Sequence, residues 1–384
     1  MKSLSLVLAI TIPLALPLAA QKKQNPYTSI KLEMKRAIER GNTYLKSQQD
    51  KEGFWREPKY PAYTALALTA AMRSPSHEKS KHIDQGYSWL AKQQKKDGGI
   101  YGQGLGTYNT ATSIVALVST GDKAHHPAIL KARRYLIGQQ ADLGIKGETD
   151  DIYDGGIGYG GRYKHSDLSN TYLAVEALRL SRNIAQDNAE GKQPELNWDA
   201  AIKFISRTQN LKETNDQPDI SNDGSFIYFP GDSKAGHTTH PDGTKTLRGY
   251  GSMTYAGLLS LIYAELDEKD PRVIAVKKWA SENYTVKENP GMATKEDPSL
   301  GQQGLYYYYH AMAKALAASN TDKLTLKDGK EADWRKDISH VLITSQREDG
   351  SWINPNSRWW ESDPVLVTAY AVLTLEQIYH SIPE

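Results

Sequence analysis

An internal repeat of two alternating segment types runs through most of this 384-residue chain. In the first type, an aliphatic residue precedes a glutamine by four positions, and a glycine-rich segment follows. Apolar residues at helical spacing lead up to each glutamine, so each copy marks the end of a helix. The full copies end at Gln49, Gln94, Gln140, Gln209 and Gln346, and a degraded copy spans 280–284.

The second segment type carries small residues at fixed offsets after a threonine, as Ala67 and Ala70 follow Thr64. Small residues on one face allow close helix contacts, and the apolar character of these segments places them inside the other type. Six copies of each type predict six helical hairpins in an all-α, α/α toroid with about six inner and six outer helices. The remaining copies begin at Thr110, Thr171, Thr254 and Thr368, with a looser one at Tyr309.

An open helical solenoid is the alternative architecture, because periodicity alone does not distinguish a closed ring from a short arc. Six hairpins suffice to close a ring, which favours the toroid. We expect one toroid domain over residues 21–384, with an extended loop inserted at about 211–249.

The N-terminus has the pattern of a secretory signal peptide. Lys2 precedes an apolar run over 4–18, and small residues at 19–20 precede a polar segment. The run is shorter than the roughly 20 apolar residues that a membrane-spanning helix needs. We therefore expect cleavage near Ala20, export to the periplasm or the extracellular space, and no integral membrane segment in the mature chain.

Composition excludes several kinds of chemistry. The chain has no cysteine, which rules out disulfides, thiolate nucleophiles, cysteine-ligated zinc and internal thioesters. The net charge of +2 gives no indication of a nucleic-acid partner. Tyrosine and tryptophan number 23 and 8 against 4 phenylalanines, so most large rings carry a polar group and suit the wall of a wet groove or cavity.

No cofactor or metal is predicted. The Asp-Asp-x-x-Asp segment at 150–154 would suit magnesium on a helix, but it runs into Gly155 and Gly156 and is more typical of a solvated turn. His237 and His240 lie in a polar loop and lack the surrounding helix of a zinc-binding motif.

Two hairpin ends have the fuller pattern Gln-x-x-x-Gly-x-Trp, at 49–55 and 346–352, and 94–100 is a copy without the tryptophan. This pattern resembles the QW repeat of squalene and terpenoid cyclases, and the resemblance covers most of 30–380. It implies the α/α toroid that these cyclases share with protein prenyltransferase β subunits and complement-like thioester domains. In the QW repeat the glutamine and the ring tighten the outer hairpins, so the motif implies architecture rather than catalysis.

The catalytic motifs of these families are incomplete here. The cyclases carry Asp-x-Asp-Asp-Thr-Ala at the start of an inner helix, and the corresponding segment keeps only Asp167 and Thr171. Ser169 stands at the position of the protonating acid, and a hydroxyl is too weak an acid for that role. Tyr309 and His310 resemble the histidine-bearing helix of prenyltransferases, whose zinc also needs a cysteine.

The repeat register predicts where a site would form. In a toroid the starts of all inner helices converge on one end of the ring, so polar and aromatic residues there should surround one mouth. A run of four tyrosines before His310 opens the fifth inner helix, either as packing or as a cavity wall. We expect catalytic roles for His310, Glu361, Asp363 and Asp167, and ligand contacts from Tyr63, Tyr108, Asn170, Tyr250, Ser252, Tyr306, Trp359 and Trp360.

Three functions are compatible with the sequence. The first is a cyclase-like or prenyltransferase-like protein that binds, and could transform, an isoprenoid or other apolar ligand in a central cavity. The second is a secreted carbohydrate-active lyase or hydrolase, which the tyrosine and tryptophan content favours. The third is a non-catalytic binding or scaffold module, which the absence of a complete catalytic motif favours.

Overall fold

The structure, a computed structural model, describes residues 25–161, 165–188 and 191–382. The predicted signal peptide lies outside the described residues. The described ranges contain thirteen α-helices and two small two-stranded antiparallel sheets. The predicted all-α fold is confirmed.

Six outer helices form the periphery. Each presents one apolar face inward, as α8 does with Ala201, Phe204 and Ile205, and leaves its other face in solvent. The outer helices are α1 (Thr28–Ser47), α3 (Lys81–Lys92), α5 (His126–Ile137), α8 (Trp198–Arg207), α10 (Pro271–Glu282) and α12 (Trp334–Ser345), and a short helix α7 (Arg182–Gln186) precedes α8.

Six inner helices alternate with the outer ones and form a closed ring. They are apolar almost all round, and in the fourth of them every residue from Gly251 to Leu261 is buried. Each inner helix packs against the next, and the last packs against the first, so the chain closes a toroid. The inner helices are α2 (Pro61–Arg73), α4 (Gly106–Ser119), α6 (Leu168–Leu180), α9 (Gly251–Tyr263), α11 (Leu305–Ala318) and α13 (Pro364–Ser381).

The repeated glutamines join neighbouring hairpins. The Gln49 Nε2 donates to the carbonyl of Gly53 in its own turn and to the carbonyl of His82 at the start of the next outer helix. Gln94, Gln140, Gln209 and Gln346 make the equivalent pair of bonds. Through Gln346 and the Ala37 carbonyl, the last turn is fastened to the first outer helix, which reinforces the closure of the ring.

The repeated threonines explain how each turn meets its inner helix. Trp55 donates its backbone N–H to the Thr64 hydroxyl, and Trp352 does the same to Thr368. The turn glycine is equally constrained: Gly53 has φ +104°, and a Cβ there would lie 2.7 Å from the Gln85 carbonyl oxygen. Each turn therefore needs a glycine at this position.

The longest connection between an outer and an inner helix runs from α8 to α9. It contains an antiparallel pair of strands, β1 (His237–Thr239) and β2 (Lys245–Leu247). A second pair, β3 (Leu324–Thr325) and β4 (Glu331–Ala332), precedes α12. Among the described residues, no helix has the length and apolar character needed to cross a membrane.

Candidate ligand cavity at the mouth of the ring

A cavity of about 580 Å³ opens where the inner helices begin. All six contribute: Tyr63 from α2, Tyr108 from α4, Ser169 from α6, Met253 from α9, Tyr307 from α11 and Leu366 from α13 line it. The helix starts therefore meet around one mouth, as the repeat register predicts. The volume is within the usual range of about 300–1,000 Å³ for small-molecule sites.

Aromatic residues are the largest group in the cavity wall. Eight tyrosines and two tryptophans line it, together with aliphatic side chains such as Leu66. Of the predicted ligand contacts, the structure brings together Tyr63, Tyr108, Tyr250, Trp359 and Trp360 at this cavity.

Three tyrosines form a floor beneath the cavity. The Tyr108 and Tyr370 hydroxyls are 2.6 Å apart, and the Tyr307 ring lies edge-on to that of Tyr370. The same three side chains line a second, smaller chamber on the other side. The floor therefore divides the interior of the ring into two compartments.

Asp167 caps α6 and lies just behind the cavity wall. Its carboxylate accepts hydrogen bonds from the backbone N–H and the side-chain amide of Asn170. It is also bonded to Tyr228, whose hydroxyl lies 2.9 Å from that of Tyr159. Burial raises the pKa of Asp167 to about 6. Both tyrosines line the cavity, so a titratable carboxyl group is connected to it through phenol hydroxyls.

Glu361 lines the cavity but also caps α11. Its carboxylate accepts bonds from the backbone N–H groups of Tyr306 and Tyr307 and from the Asn354 side chain. Burial raises its pKa, and these bonds act in the opposite direction. Both oxygens are thus engaged in holding the first turn of α11, and with it the floor tyrosine Tyr307.

Asp363 is the N-cap of α13, as its position before Pro364 suggests. It accepts bonds from Val365 and Leu366 and forms an ion pair with Arg56 at 2.6 Å. It does not line the cavity, although it is close to the mouth in the chain.

Trp359 and Trp360 form an exposed aromatic rim at the mouth. Both adopt left-handed backbone conformations, with φ of 53° and 65°. Trp360 packs on Tyr60, with ring centroids 5.2 Å apart. Trp359 lies over Gly304, where a Cβ would come within 2.9 Å of the indole. Two large rings are thereby held half in solvent and half over the cavity.

The structure places the other predicted residues away from the cavity. Asn170 is buried in its bonds to Asp167, and Ser252 is held by Asn289. Tyr306 packs edge-on against Tyr309. His310 lies beyond the tyrosine floor and lines the second chamber. Its pKa is lowered well below the ordinary value, mainly by burial and further by the positive charges of Lys314 and Arg73.

Several lining residues were not expected from the sequence. Tyr307 and Tyr370 lie within inner helices, at positions that the repeat pattern does not mark as facing the cavity. Tyr159, Tyr228 and Lys234 come from connecting segments that have no periodicity, although a cluster of tyrosine and phenylalanine around 226–229 is visible in the sequence. Among the described residues, no group of three histidine or acidic side chains is arranged to hold a metal ion.

No protein-family model and no curated protein matches this sequence. Solved structures do match its fold. A variant of the type II terpene cyclase MstE from Scytonema, bound to geranylgeranyl dihydroxybenzoate, has a TM-score of 0.56 at 11% identity, covering 92% of this chain and 99% of that chain.

Glycosidases have the same architecture. An inactive variant of the α-1,6-mannanase GH76A of Salegentibacter, bound to α-1,6-mannotriose, has a TM-score of 0.54 at 13% identity, over 91% of this chain and 99% of that chain. A glycosidase bound to glucose has a TM-score of 0.51 at 11% identity, over 93% and 99%. At these identities the likeness shows the α/α toroid fold that both groups of enzymes share.

Proposed function

We propose that this chain is an exported terpenoid-cyclase-like or prenyltransferase-like repeat protein that binds an isoprenoid or another apolar ligand in the mouth cavity. The observation that carries the proposal is the ring-lined wall: eight tyrosines, two tryptophans and aliphatic side chains such as Leu66 face the space. Ring faces offer a large apolar contact area, and four of the hydroxyls bond to one another, Tyr108 to Tyr370 and Tyr159 to Tyr228. The N-terminal sequence pattern supports export.

The hairpin turns give independent support to the family part of the proposal. The Gln49 side chain donates a hydrogen bond to the Gly53 carbonyl in the following turn, as the resemblance to the QW repeat implies. The Trp55 indole of the same turn donates to the Leu45 carbonyl. The likeness in fold to a terpene cyclase bound to a geranylgeranyl compound agrees with it.

Conversion of the ligand would need a proton donor, and Asp167 is the carboxyl group best suited to that role. Ser169 faces the cavity where the cyclases place their acid. Asp167, whose pKa is raised to about 6, is partly protonated near that pH and is linked to the cavity through Tyr228 and Tyr159. Glu361 lines the cavity directly and is engaged with α11 in the same way, so it is the second candidate donor.

The proposal is tested by binding of farnesol to the mature protein, measured by isothermal titration calorimetry. Ser169→Trp places a large ring in the cavity and should weaken farnesol binding at least tenfold. Ser88→Trp, on the exposed face of α3, is the matched control and should bind farnesol like the parent. Absence of farnesol binding, or equal binding by the Ser169 and Ser88 variants, would contradict the proposal.

A carbohydrate ligand is the second candidate, and the exposed rim of Trp359 and Trp360 favours it. The two indoles are 39% and 49% exposed, which suits stacking on a sugar ring at an open mouth. Under this alternative, mannotriose binds and farnesol does not. A double Trp359→Ala/Trp360→Ala variant should then lose mannotriose binding. If this variant instead loses farnesol binding and the parent does not bind mannotriose, the result supports the isoprenoid ligand.

A further inference from the structure

The second chamber lies beyond the tyrosine floor, between the middle and the C-terminal ends of the inner helices. Its volume is about 70 Å³, whereas one water needs roughly 10–15 Å³. It therefore admits a group of only a few heavy atoms. Leu66, Tyr108, Tyr307 and Tyr370 line both this chamber and the mouth cavity, so the two spaces adjoin.

A buried ion pair crosses this chamber. The Lys314 ammonium on α11 contacts the Glu176 carboxylate on α6 and also donates to the Tyr172 hydroxyl at 2.7 Å. Glu176 additionally accepts a bond from Tyr263 on α9. An ammonium has three N–H donors, so one Lys314 donor has no bond to the described residues. The negative charge of Glu176 is thus satisfied, while Lys314 keeps a donor at the chamber.

Two further groups supply donors or positive charge. His310 is nine-tenths buried, and its Nδ1 has no hydrogen-bond partner among the described residues. The Arg73 guanidinium lines the chamber and donates to the neutral side chain of Gln377 rather than to a carboxylate. The nearby Glu376 is fully buried, and burial raises its pKa well above the ordinary value, whereas the charge of Arg73 acts in the opposite direction.

The chamber is therefore lined by two basic side chains, one carboxylate and an unpartnered ring nitrogen. The C-terminal ends of the inner helices disfavour an anion, but that effect is confined to about the last turn, and His310 lies two turns away from the end of α11. Arg73 lies in the last turn of α2, where its own positive charge counteracts the effect. A buried polar atom without a partner costs on the order of 1–3 kcal/mol. In the tautomer that carries its hydrogen on Nδ1, His310 would donate to a small anionic group at this level.

We propose that this chamber binds a carboxylate, held by Lys314, His310 and Arg73. The carboxylate is either the polar end of a ligand whose apolar body fills the mouth cavity, or a small free anion that enters beside Leu180 and Arg73. The first case requires the Tyr108 and Tyr370 hydroxyls, which are 2.6 Å apart in the floor, to separate when the ligand binds. In the first case the inference rests on the proposed function, because it defines the ligand as an isoprenoid acid. In the second it stands without that function.

Calorimetric titration with farnesoic acid, farnesol and sodium acetate tests the proposal. If the carboxylate is the end of the ligand, farnesoic acid binds at least tenfold more tightly than farnesol. Arg73→Gln and His310→Phe should remove this preference. Arg179→Gln, in the last turn of α6 and outside the chamber, is the matched control and should retain the preference. Arg73 is half-buried, so its variant remains informative if the His310 variant does not fold.

The acetate titration separates the two sources and the two proposals. Acetate binding that is lost in the Arg73 and His310 variants supports the chamber as a site for a free anion, even if farnesol does not bind and the proposed function fails. Equal affinities for farnesoic acid and farnesol, together with no acetate binding, would overturn the carboxylate site. Because farnesol still binds in that case, the proposed function would stand. A preference for the acid that persists in both variants would also overturn the carboxylate site.

Discussion

The two ends of the ring interior place their ion pairs in opposite environments. At the mouth, Arg56 pairs with Asp363 where half of the arginine side chain is in solvent. In the second chamber, Lys314 pairs with Glu176 with less than a tenth of either side chain exposed. Water screens the first pair, whereas the second has exchanged its hydration for protein partners.

This difference follows from where the residues lie in their helices. Mouth residues come from helix starts and connecting segments, which reach solvent and use carboxylates as caps. The chamber pair, Lys314 and Glu176, comes from within helices that are buried on almost all sides. A charge inside a buried helix must be paired and hydrogen-bonded. Removal of its partner should therefore lower the free energy of unfolding far more than removal of a partner at the mouth.

The largest effect is expected from breaking the chamber pair. Lys314→Met leaves Glu176 buried without its cation and should lower the free energy of unfolding by about 3–5 kcal/mol. The double variant Lys314→Met/Glu176→Gln removes both charges and should recover most of that loss. Urea unfolding followed by circular dichroism measures both.

Lys278→Met breaks an exposed pair with Glu282 on α10 and serves as the control for loss of a lysine. It should change the unfolding free energy by less than about 0.5 kcal/mol. Equal losses in the Lys314 and Lys278 variants would show that the chamber pair has no special cost, and the contrast between the two ends would be wrong.

The next effect concerns Asp167, a capping carboxylate at the mouth that is buried nonetheless. Its pKa is raised from the ordinary value of 3.8 to about 6, mainly by burial, so the folded state holds the proton more tightly than the unfolded chain. The resulting stability is present below about pH 4 and is lost as the pH rises through 6. A shift of about two units corresponds to about 3 kcal/mol.

Asp167→Asn removes this dependence. The difference in unfolding free energy between parent and variant should therefore change by about 3 kcal/mol between pH 4 and pH 7, with the parent favoured at the lower pH. Asp270, the cap of α10, has its pKa lowered by its bond to Arg272. Asp270→Asn should show the opposite sign, with the parent losing its advantage as the pH falls. A flat profile for Asp167→Asn would contradict the assignment of a shifted carboxyl group.

The two ends also differ in how far the sequence predicts them. The repeat register is sufficient to bring Tyr63, Tyr108 and Tyr250 to one mouth, because every inner helix starts at the same end of a closed ring. It does not reveal which side of a helix faces the interior, so Tyr306 was expected in place of Tyr307. Connecting segments such as the one carrying Tyr228 have no period from which to infer their position.

The chamber was missed for a different reason. Glu176 and Lys314 are separated by 138 residues in the chain and become neighbours only when α6 and α11 face each other across the ring. A signal was nevertheless present, since each is a charge inside an otherwise apolar segment. Charged residues within buried helices are usually paired, so these two positions could have been predicted as partners.

The smallest effect is expected at the mouth pair, and it sets the lower limit of the comparison. Arg56→Gln removes the ion pair but leaves Asp363 in its bonds to Val365 and Leu366, so α13 keeps its cap. The free energy of unfolding should fall by about 0.2–1 kcal/mol, and the loss should shrink in 1 M salt because exposed charges are screened. Urea unfolding at low and high salt measures this difference. If instead Arg56→Gln lowers the free energy of unfolding as much as Lys314→Met does, and the loss is the same at low and high salt, solvent exposure does not explain the difference between the two ends of the ring.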